Sequence, residues 1–549
     1  RVMRVVPHDN EEVNETWLSD RDRFGYEGLY APDRLERPLL REGGVLQETD
    51  WALALEHAAA HLREVVAAHG PEAVGVLVSP SATLEELYLA QKLARGLGSG
   101  NVDHRLRQGD FGADAAMGRA PGLGMRIPEL ERVDAALLVG SDIRMDQPLL
   151  GLRLRKAGMR GAEIAVLNPV DYELYFPVAH RLITDPPGMV RALAAIAADL
   201  ARHSDVAVPP AVAGLVEGVR VEETHAAVAH ALRRAGRGVV VLGAQAHASP
   251  WFGALRLLAG YVAAASGAAL AELPFGANAA GAWLAGAVPH RGPGGAPAQP
   301  AGLDARAMLE RPRRAYVLLG VEPERDAWNP AAAARALGEA ELVIHVAPWL
   351  SEAGRRWAHV ALPAAAFAET SGTFVNADGR WQSFEGAARP PGEARPAWKI
   401  LRVLGTLLDL EGFGYEDPEE IRREVRAAVE AAPEPAGTVA AVALPETAAS
   451  LWRVGDVPIY AVDALVRRSR PLQETPLAVE AALRVAPGTA ARLGLTAGAR
   501  VRVRQDGTQA ELEVVLDRRV ADGCALVHAG VPGSEGLGPA VGPLEIVAG

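Results

Sequence analysis

Apolar positions along this chain follow two periods that alternate. From Asp50, the residues Leu55, Ala58, Ala59, Leu62, Val65 and Val66 recur at helical spacing on one face, and Gly70-Pro71 stops the run. Asp50 stands where a side-chain oxygen caps a helix start. The wholly apolar run AVGVLVS (73–79) follows and predicts a strand buried on both faces. Thr83 and Glu86 in TLEE then stand at capping-box spacing and open the next helix.

The same unit of strand, polar loop and helix returns. DAALLVGSD (134–142) leads to a helix near 147–158, AEIAVLNP (162–169) reads as a strand, and GVVVLGAQA (238–246) leads to a helix near 250–266. Beyond the loop PHRGPGGAPAQPAG (289–302) come AYVLLGVEP (315–323), a helix near 330–338, ELVIHVAP (341–348) and HVALP (359–363). Strands apolar on both faces, alternating with amphipathic helices, predict an α/β fold of parallel sheets covered by helices.

Two segments depart from that period. Residues 1–45 carry charges and aromatics with few periodic apolar positions, and read as an irregular leading segment with short strands. A Pro/Ala/Val-rich stretch, PEPAGTVAAVALP (433–445), precedes a short helix, and from about 474 the pattern becomes short β runs: RVRVRQ (500–505), AELEVVLD (510–517) and CALVHAG (524–530). Asp506-Gly507 sits at hairpin distance between the first two, so a small β-barrel is expected. The expected division is residues 1–45, an α/β region of two or more sheet units over 46–470 with a linker near 289–302, and the barrel over 471–549.

Composition narrows the function classes. A length of 549 residues exceeds what one core supports, about 250–300 residues. The net charge of −12 is spread along the chain and its arginines are interleaved with acids, which argues against a nucleic-acid partner. No run reaches the roughly 20 apolar residues of a bilayer span, so no direct membrane span is expected. Cys524 is the single cysteine, which excludes an internal disulfide, a Cys-based zinc site and an all-Cys iron–sulfur cluster held by this chain alone. It opens an apolar strand and reads as a small core residue. The chain starts at Arg1 with no signal pattern behind it, and is expected to be a segment of something longer or a processed form.

Candidate chemistry belongs at the strand ends, where open α/β sheets bind ligands. The loops SPSAT, GSDIRMDQP, NPVDYEL, GAQAHASP and GVEPERD are polar but not basic, and GLGSG (96–100) follows a helix, as a C-cap and turn would. His57 and His61 lie four apart, the spacing of metal ligands, without a third ligand in view. His104 neighbours Asp103, where an ion pair is as good a reading as proton transfer. The densest stretch is ETSGTFVNADGRWQSFEGAARPPGEARPAWKIL (369–401), read as a long ordered crossover fixed by Arg380, Glu385 and Arg395 through charge-assisted hydrogen bonds. No catalytic, cofactor-binding or metal-ligating residue is assigned from these patterns.

Within that stretch, Glu369, Gly372, Thr373, Asn376, Asp378, Gly379, Arg380 and Gln382 form a signature that resembles the molybdopterin oxidoreductase superfamily. GEARPAWKILRVLG, SPSATLEELYLAQKLARGLGSGNVDHRLRQGDF (79–111) and LLVGSDIRMDQPLLGLRLRKAGMRGAEIAVLNP (137–169) look like one branch of it. That branch is the family of large peripheral-arm subunits of bacterial proton-pumping NADH–quinone oxidoreductase (complex I). LGLTAGARVRVRQ (493–505) resembles the superfamily's C-terminal barrel.

The resemblance implies a scaffold in an assembly that passes electrons from NADH to quinone through FMN and iron–sulfur clusters and translocates protons. Its partners would be the other peripheral-arm subunits, on the cytoplasmic side of the bacterial inner membrane. The 2Fe-2S and 4Fe-4S clusters would lie in an absent N-terminal ferredoxin-like part. Ser19, in WLSDRDRFGY, stands where the family can carry a cysteine that ligates an additional four-iron cluster. A hydroxyl is a hard ligand compared with a thiolate, so that site is expected to be vacated, with Asp20, Arg21 and Arg23 structural. In RQGDFGADAAMG (107–118), where working members of the superfamily place a metal ligand, only Asp110 and Asp114 are offered. The fold is therefore expected without its cofactor. The alternative is an active, formate dehydrogenase-like molybdopterin enzyme that uses one of those two aspartates.

Overall fold

A computed structural model describes residues 1–435, 437, 439, 442 and 449–547. The stretch 433–445 lies largely outside the described residues. Two helix-covered sheets and a barrel make up the body.

The first sheet has a parallel core in the spatial order Val360–Pro363, Leu342–Ala347, Ala315–Leu319, Val74–Val78, Val102–Asp103. An antiparallel hairpin, Leu39–Glu42 with Val45–Glu48, extends it at the Val360 edge, so the leading segment supplies strands to this sheet. Strand alternation sorts the side chains. Val74, Val76 and Val78 pack beneath helices Trp51–His69, Leu84–Gly96 and Ala397–Leu407, while Leu77 packs on the opposite side with Ala333 and Leu337 of helix Pro330–Gly338. The helix starts are those the sequence marks. Asp50 accepts from Leu53 N at 2.9 Å, and Thr83 and Glu86 exchange the reciprocal bonds of a capping box.

The second sheet is wholly parallel, in the order His180–Ile183, Glu163–Asn168, Ala135–Val139, Gly238–Leu242, Ala269–Glu272. Helices Pro186–His203, Glu223–Arg234 and Phe252–Ser266 cover one face. The other face packs on helix Pro148–Met159 and on Trp452, Cys524 and Leu526 of the barrel. Cys524 is a fully buried core residue, and burial pushes its thiol well above the usual range.

The barrel sheet runs Val541–Pro543, Trp452–Val454, Cys524–Leu526, Leu483–Val485, Thr508–Leu516, Arg500–Gln505, Glu545–Val547. Its two outer strands are consecutive in the chain, so the sheet is nearly closed and both edges are protected. Asp506-Gly507 joins the expected hairpin, with Gln505 opposite Thr508.

The motif at 369–401 is built differently from a plain crossover. Gly372–Val375 and Trp381–Phe384 pair antiparallel. Arg380 does pair with Glu12, at 2.5 Å, but Arg395 stacks over the Trp51 ring and Glu385 is exposed. The buried anchors are others. Glu85 accepts from Thr373 N at 2.9 Å and Thr373 Oγ1 at 2.7 Å, and Glu369 pairs with Arg34.

Candidate functional site

Each sheet has a point where its spatial order reverses. In the first it lies between Val74–Val78 and Ala315–Leu319, and in the second between Ala135–Val139 and Gly238–Leu242. Crevices open there because the connections leave to opposite sides. Gly320 (φ 64°) and Gly140 (φ 57°) turn the chain sharply at the strand ends, and a Cβ on Gly140 would meet Ala246 N at 2.4 Å. The two crevices face one cavity of about 450 Å³, whose walls include Ser79, Gly320, Gln147, Ala244, His247 and Trp283.

Arg105 and Arg107 of this cavity are already committed. Arg105 lays Nε and Nη2 on the two oxygens of Asp103, at 2.8 and 2.9 Å, and Nη1 on Asp114 at 2.7 Å. Arg107 donates to Asp326 and to Val462 O, both at 2.8 Å. Arg105 N also donates to Asp103 Oδ1, at 3.1 Å, so the chain bends after strand Val102–Asp103 and brings these two side chains together. His104 turns the other way, its Nδ1 2.9 Å from Ala287 O, and Asp103 stays 4.0 Å off. Burial drives His104 down to about 4, with Asp103 only partly opposing, so the ring is neutral at pH 7. His247 is also buried, both its ring nitrogens lack a partner, and burial takes it down to about 3. His57 and His61 stack at 3.9 Å on helix Trp51–His69, with His61 Nδ1 3.0 Å from His57 O.

Neither aspartate offered by the sequence lines the cavity. Asp110 accepts from Gly112 N at 2.8 Å through one oxygen and from Gly253 N at 2.7 Å through the other, which ties it to the start of helix Phe252–Ser266. Asp114 is held by Arg105 and faces His290 Nδ1 at 3.3 Å; burial raises it to about 6 against the pull of Arg105. A molybdenum–pterin group needs a ligand aimed into the cavity and uncommitted donors for its diphosphates. The residues here do not fit it. Among the described residues no three His, Cys, Asp or Glu side chains converge as a metal site.

Ser19 caps the short helix Asp20–Phe24. Its Oγ accepts from Asp22 N at 3.2 Å and donates to Asp22 Oδ2 at 2.5 Å. Asp22 in turn lies 3.6 Å from Arg21. The hydroxyl is thus spent on local structure. Ser19→Ala is expected to cost about 1 kcal/mol, read as faster amide exchange over residues 20–24 and a small fall in the denaturation midpoint.

A further group has no signal in local sequence. Tyr172 Oη donates to Asp456 Oδ2 at 3.2 Å and accepts from Gln245 Nε2, which ties the loop after Glu163–Asn168 and helix Ala244–Ala248 to the segment after barrel strand Trp452–Val454. Tyr172 sits in NPVDYEL, which reads only as polar; Asp456 joins it through the tertiary fold.

Comparison with known proteins places this geometry. The family model for molybdopterin oxidoreductase matches residues 34–407, and the model described as NADH-ubiquinone oxidoreductase NDSU1/NuoG-like, 4Fe-4S domain, matches residues 1–27. The chain is similar to the G subunit of the NADH-quinone oxidoreductase of Streptomyces coelicolor, 31% identical over 77% of this chain and 52% of that one. It is similar to the corresponding Mycobacterium tuberculosis subunit at 31% over 78% and 52%. NADPH-Fe(3+) oxidoreductase subunit alpha of Geobacter sulfurreducens is 28% identical over 95% of this chain and 68% of its own length. The chain thus spans about half the length of the Streptomyces and Mycobacterium relatives. In fold it is similar to acetylene hydratase from Pelobacter acetylenicus, with a TM-score of 0.64 at 14% identity over 96% of this chain and 89% of that one.

Proposed function

Because this chain belongs to the molybdopterin oxidoreductase family, we propose that it is the cofactor-free body of a NuoG-like, large peripheral-arm subunit in an NADH–quinone oxidoreductase. The observation that carries this reading is the committed cavity. Arg105 and Arg107 are neutralised by Asp103, Asp114 and Asp326, and Asp110 and Asp114 are spent on internal bonds. Such a body positions neighbouring electron carriers without exchanging electrons itself. The match at residues 1–27 supports a junction with an iron–sulfur region, whose 2Fe-2S and 4Fe-4S clusters would be held by the full-length subunit. The assembly would oxidise NADH, reduce quinone and translocate protons. It would sit peripherally on the cytoplasmic face of the bacterial inner membrane, docked to other arm subunits. No helix of the described residues is long and apolar enough to cross a membrane, so attachment would run through those partners.

Two measurements test the reading. Elemental analysis and pterin extraction of the purified full-length subunit are expected to give iron but no stoichiometric molybdenum, tungsten or pterin; a stoichiometric metal–pterin content overturns the scaffold role and restores the formate dehydrogenase-like alternative. A tagged copy in its native cell is expected to co-purify with NADH:quinone reductase activity. The Geobacter relative favours a second reading, since it covers 95% of this chain. If the tagged complex instead reduces ferric iron with NADPH and lacks quinone reductase activity, a role like that of the Geobacter alpha subunit replaces the first.

A further inference from the structure

Two ring groups in the wall of the shared cavity, which holds about 450 Å³, are left unspent by the fold. His104 is 2% exposed, and because the carbonyl of Ala287 can only accept, its Nδ1 carries the proton. Nε2 of this neutral ring is therefore an acceptor. It has no partner among the described residues, yet it is not sealed in protein as both nitrogens of His247 are. Trp283 is 3% exposed, and its Nε1–H likewise lacks an acceptor among the described residues without being sealed. The two rings are neighbours. Ala287, whose carbonyl holds His104 at 2.9 Å, stands four residues after Trp283, and the Arg105 guanidinium lies 5.2 Å from the indole. Met117, Leu273 and Phe275 supply apolar wall to the same cavity.

The charged walls narrow what can enter. Arg105 and Arg107 have carboxylate partners, so neither is free to receive a phosphate. Glu272 meets Arg256 at 3.1 Å, and Asp463 accepts from Val466 N at 2.9 Å. Asp146 has no ion partner among the described residues, which makes a cationic ligand the rival. Burial, with Arg105 adding to it, keeps His104 from taking a proton, and the same surroundings disfavour a cation at Nε2. We propose that the cavity binds an uncharged heteroaromatic molecule carrying a ring N–H and a ring acceptor: the N–H donates to His104 Nε2, and the acceptor receives the N–H of Trp283. A mostly apolar cavity of this size with a few polar groups is the usual form of a small-molecule site. Such a ligand differs in kind from a metal–pterin group, which brings a metal and anionic phosphates. The inference rests on the reading of the cavity as free of that group; pterin extraction tests that reading, and probe binding tests this one.

Indazole, an uncharged bicycle with one ring N–H and one ring acceptor, is the probe, titrated calorimetrically into the purified, pterin-free full chain. Saturable one-to-one binding is expected. Its N-methyl derivative, which lacks the donor, should bind more weakly by about 3- to 10-fold, the worth of one neutral hydrogen bond. Pyrophosphate and benzylammonium are expected to bind more weakly than indazole. His104→Phe keeps the bulk of the ring and should bring indazole and its methyl derivative to the same affinity, whereas Trp283→Phe should weaken both. If neither variant folds, the four probes on the parent chain decide alone. The proposal is overturned if indazole shows no saturable binding, if the parent chain binds both indazoles equally, or if either ion binds more tightly. A difference between the two indazoles that survives in a folded His104→Phe chain overturns it as well.

Discussion

Arg105→Ala is expected to destabilise the protein by about 3–5 kcal/mol, seen as a large fall in the urea midpoint with little change in slope. Arg105 is buried, and its guanidinium is shared between Asp103, which is fully buried, and Asp114. Asp103 also accepts from Ala305 N at 3.1 Å, so the same carboxylate fixes the helix that begins there. Truncating the arginine strands two carboxylates away from water and opens a void beside Phe111 and Trp283, over which the guanidinium lies. The cost belongs to breaking the set and not to its net worth. Desolvating one cation and two anions consumes most of what their attraction returns, so replacing all three residues by apolar ones should recover much of the loss. Arg105→Lys keeps the charge but not the fork that grips both oxygens of Asp103, and should fall between parent and alanine variant. If Arg105→Ala leaves the urea midpoint unmoved, the three charges do not form the buried set described.

Glu322→Gln should cost a comparable amount at neutral pH and should also blunt the acid sensitivity of the fold. Glu322 follows the first-sheet reversal point. Arg467 reaches its Oε2 at 2.9 and 3.1 Å, and Arg468 reaches Oε1 at 2.5 Å. Arg468 continues to Asp33 and Arg467 to Asp326, which Arg107 also binds, so one ion network ties the leading segment, the first sheet and the connection between barrel strands Trp452–Val454 and Leu483–Val485. Burial alone would raise Glu322, but the two arginines outweigh it and hold it down at about 2. The sign follows. A carboxylate depressed in the folded state contributes stability that is fully present above its unfolded value and is lost as pH falls toward about 2. A difference of roughly two units corresponds to about 3 kcal/mol. Urea midpoints measured from about pH 5 to about pH 2 should therefore fall steeply in the parent and more gently in Glu322→Gln. Equal slopes would show that other carboxylates dominate acid unfolding.

Buried carboxylates in this fold take opposite characters from their surroundings. Glu322 is surrounded by arginines and gains by ionising, whereas burial raises Asp142 and Asp146 above the usual carboxylate range. Asp, Glu and Arg are common along the chain, and nothing in the string of letters separates these two environments.

The elements themselves were legible. The apolar run 73–79 became strand Val74–Val78, the helix near 330–338 became Pro330–Gly338, and the caps Asp50 and Thr83–Glu86 formed as read. These depend on interactions within a few residues, and periodicity, caps and tight turns record such interactions directly. Some local readings failed for equally local reasons: the chain bends at His104, so Asp103 accepts from both backbone and side chain of Arg105 while His104 Nδ1 lies against Ala287 O.

By itself, the sequence determined that the chain alternates strand and helix, ends in short β runs, spans no membrane by a helix of its own described residues, and offers one cysteine, buried at Cys524. Only the tertiary structure decided which carboxylates meet cations, and that Asp110 and Asp114 turn away from the shared cavity. Local order is encoded by contacts a few residues apart. A buried charge takes its character from whatever the fold packs beside it, and that partner can lie hundreds of residues along the chain.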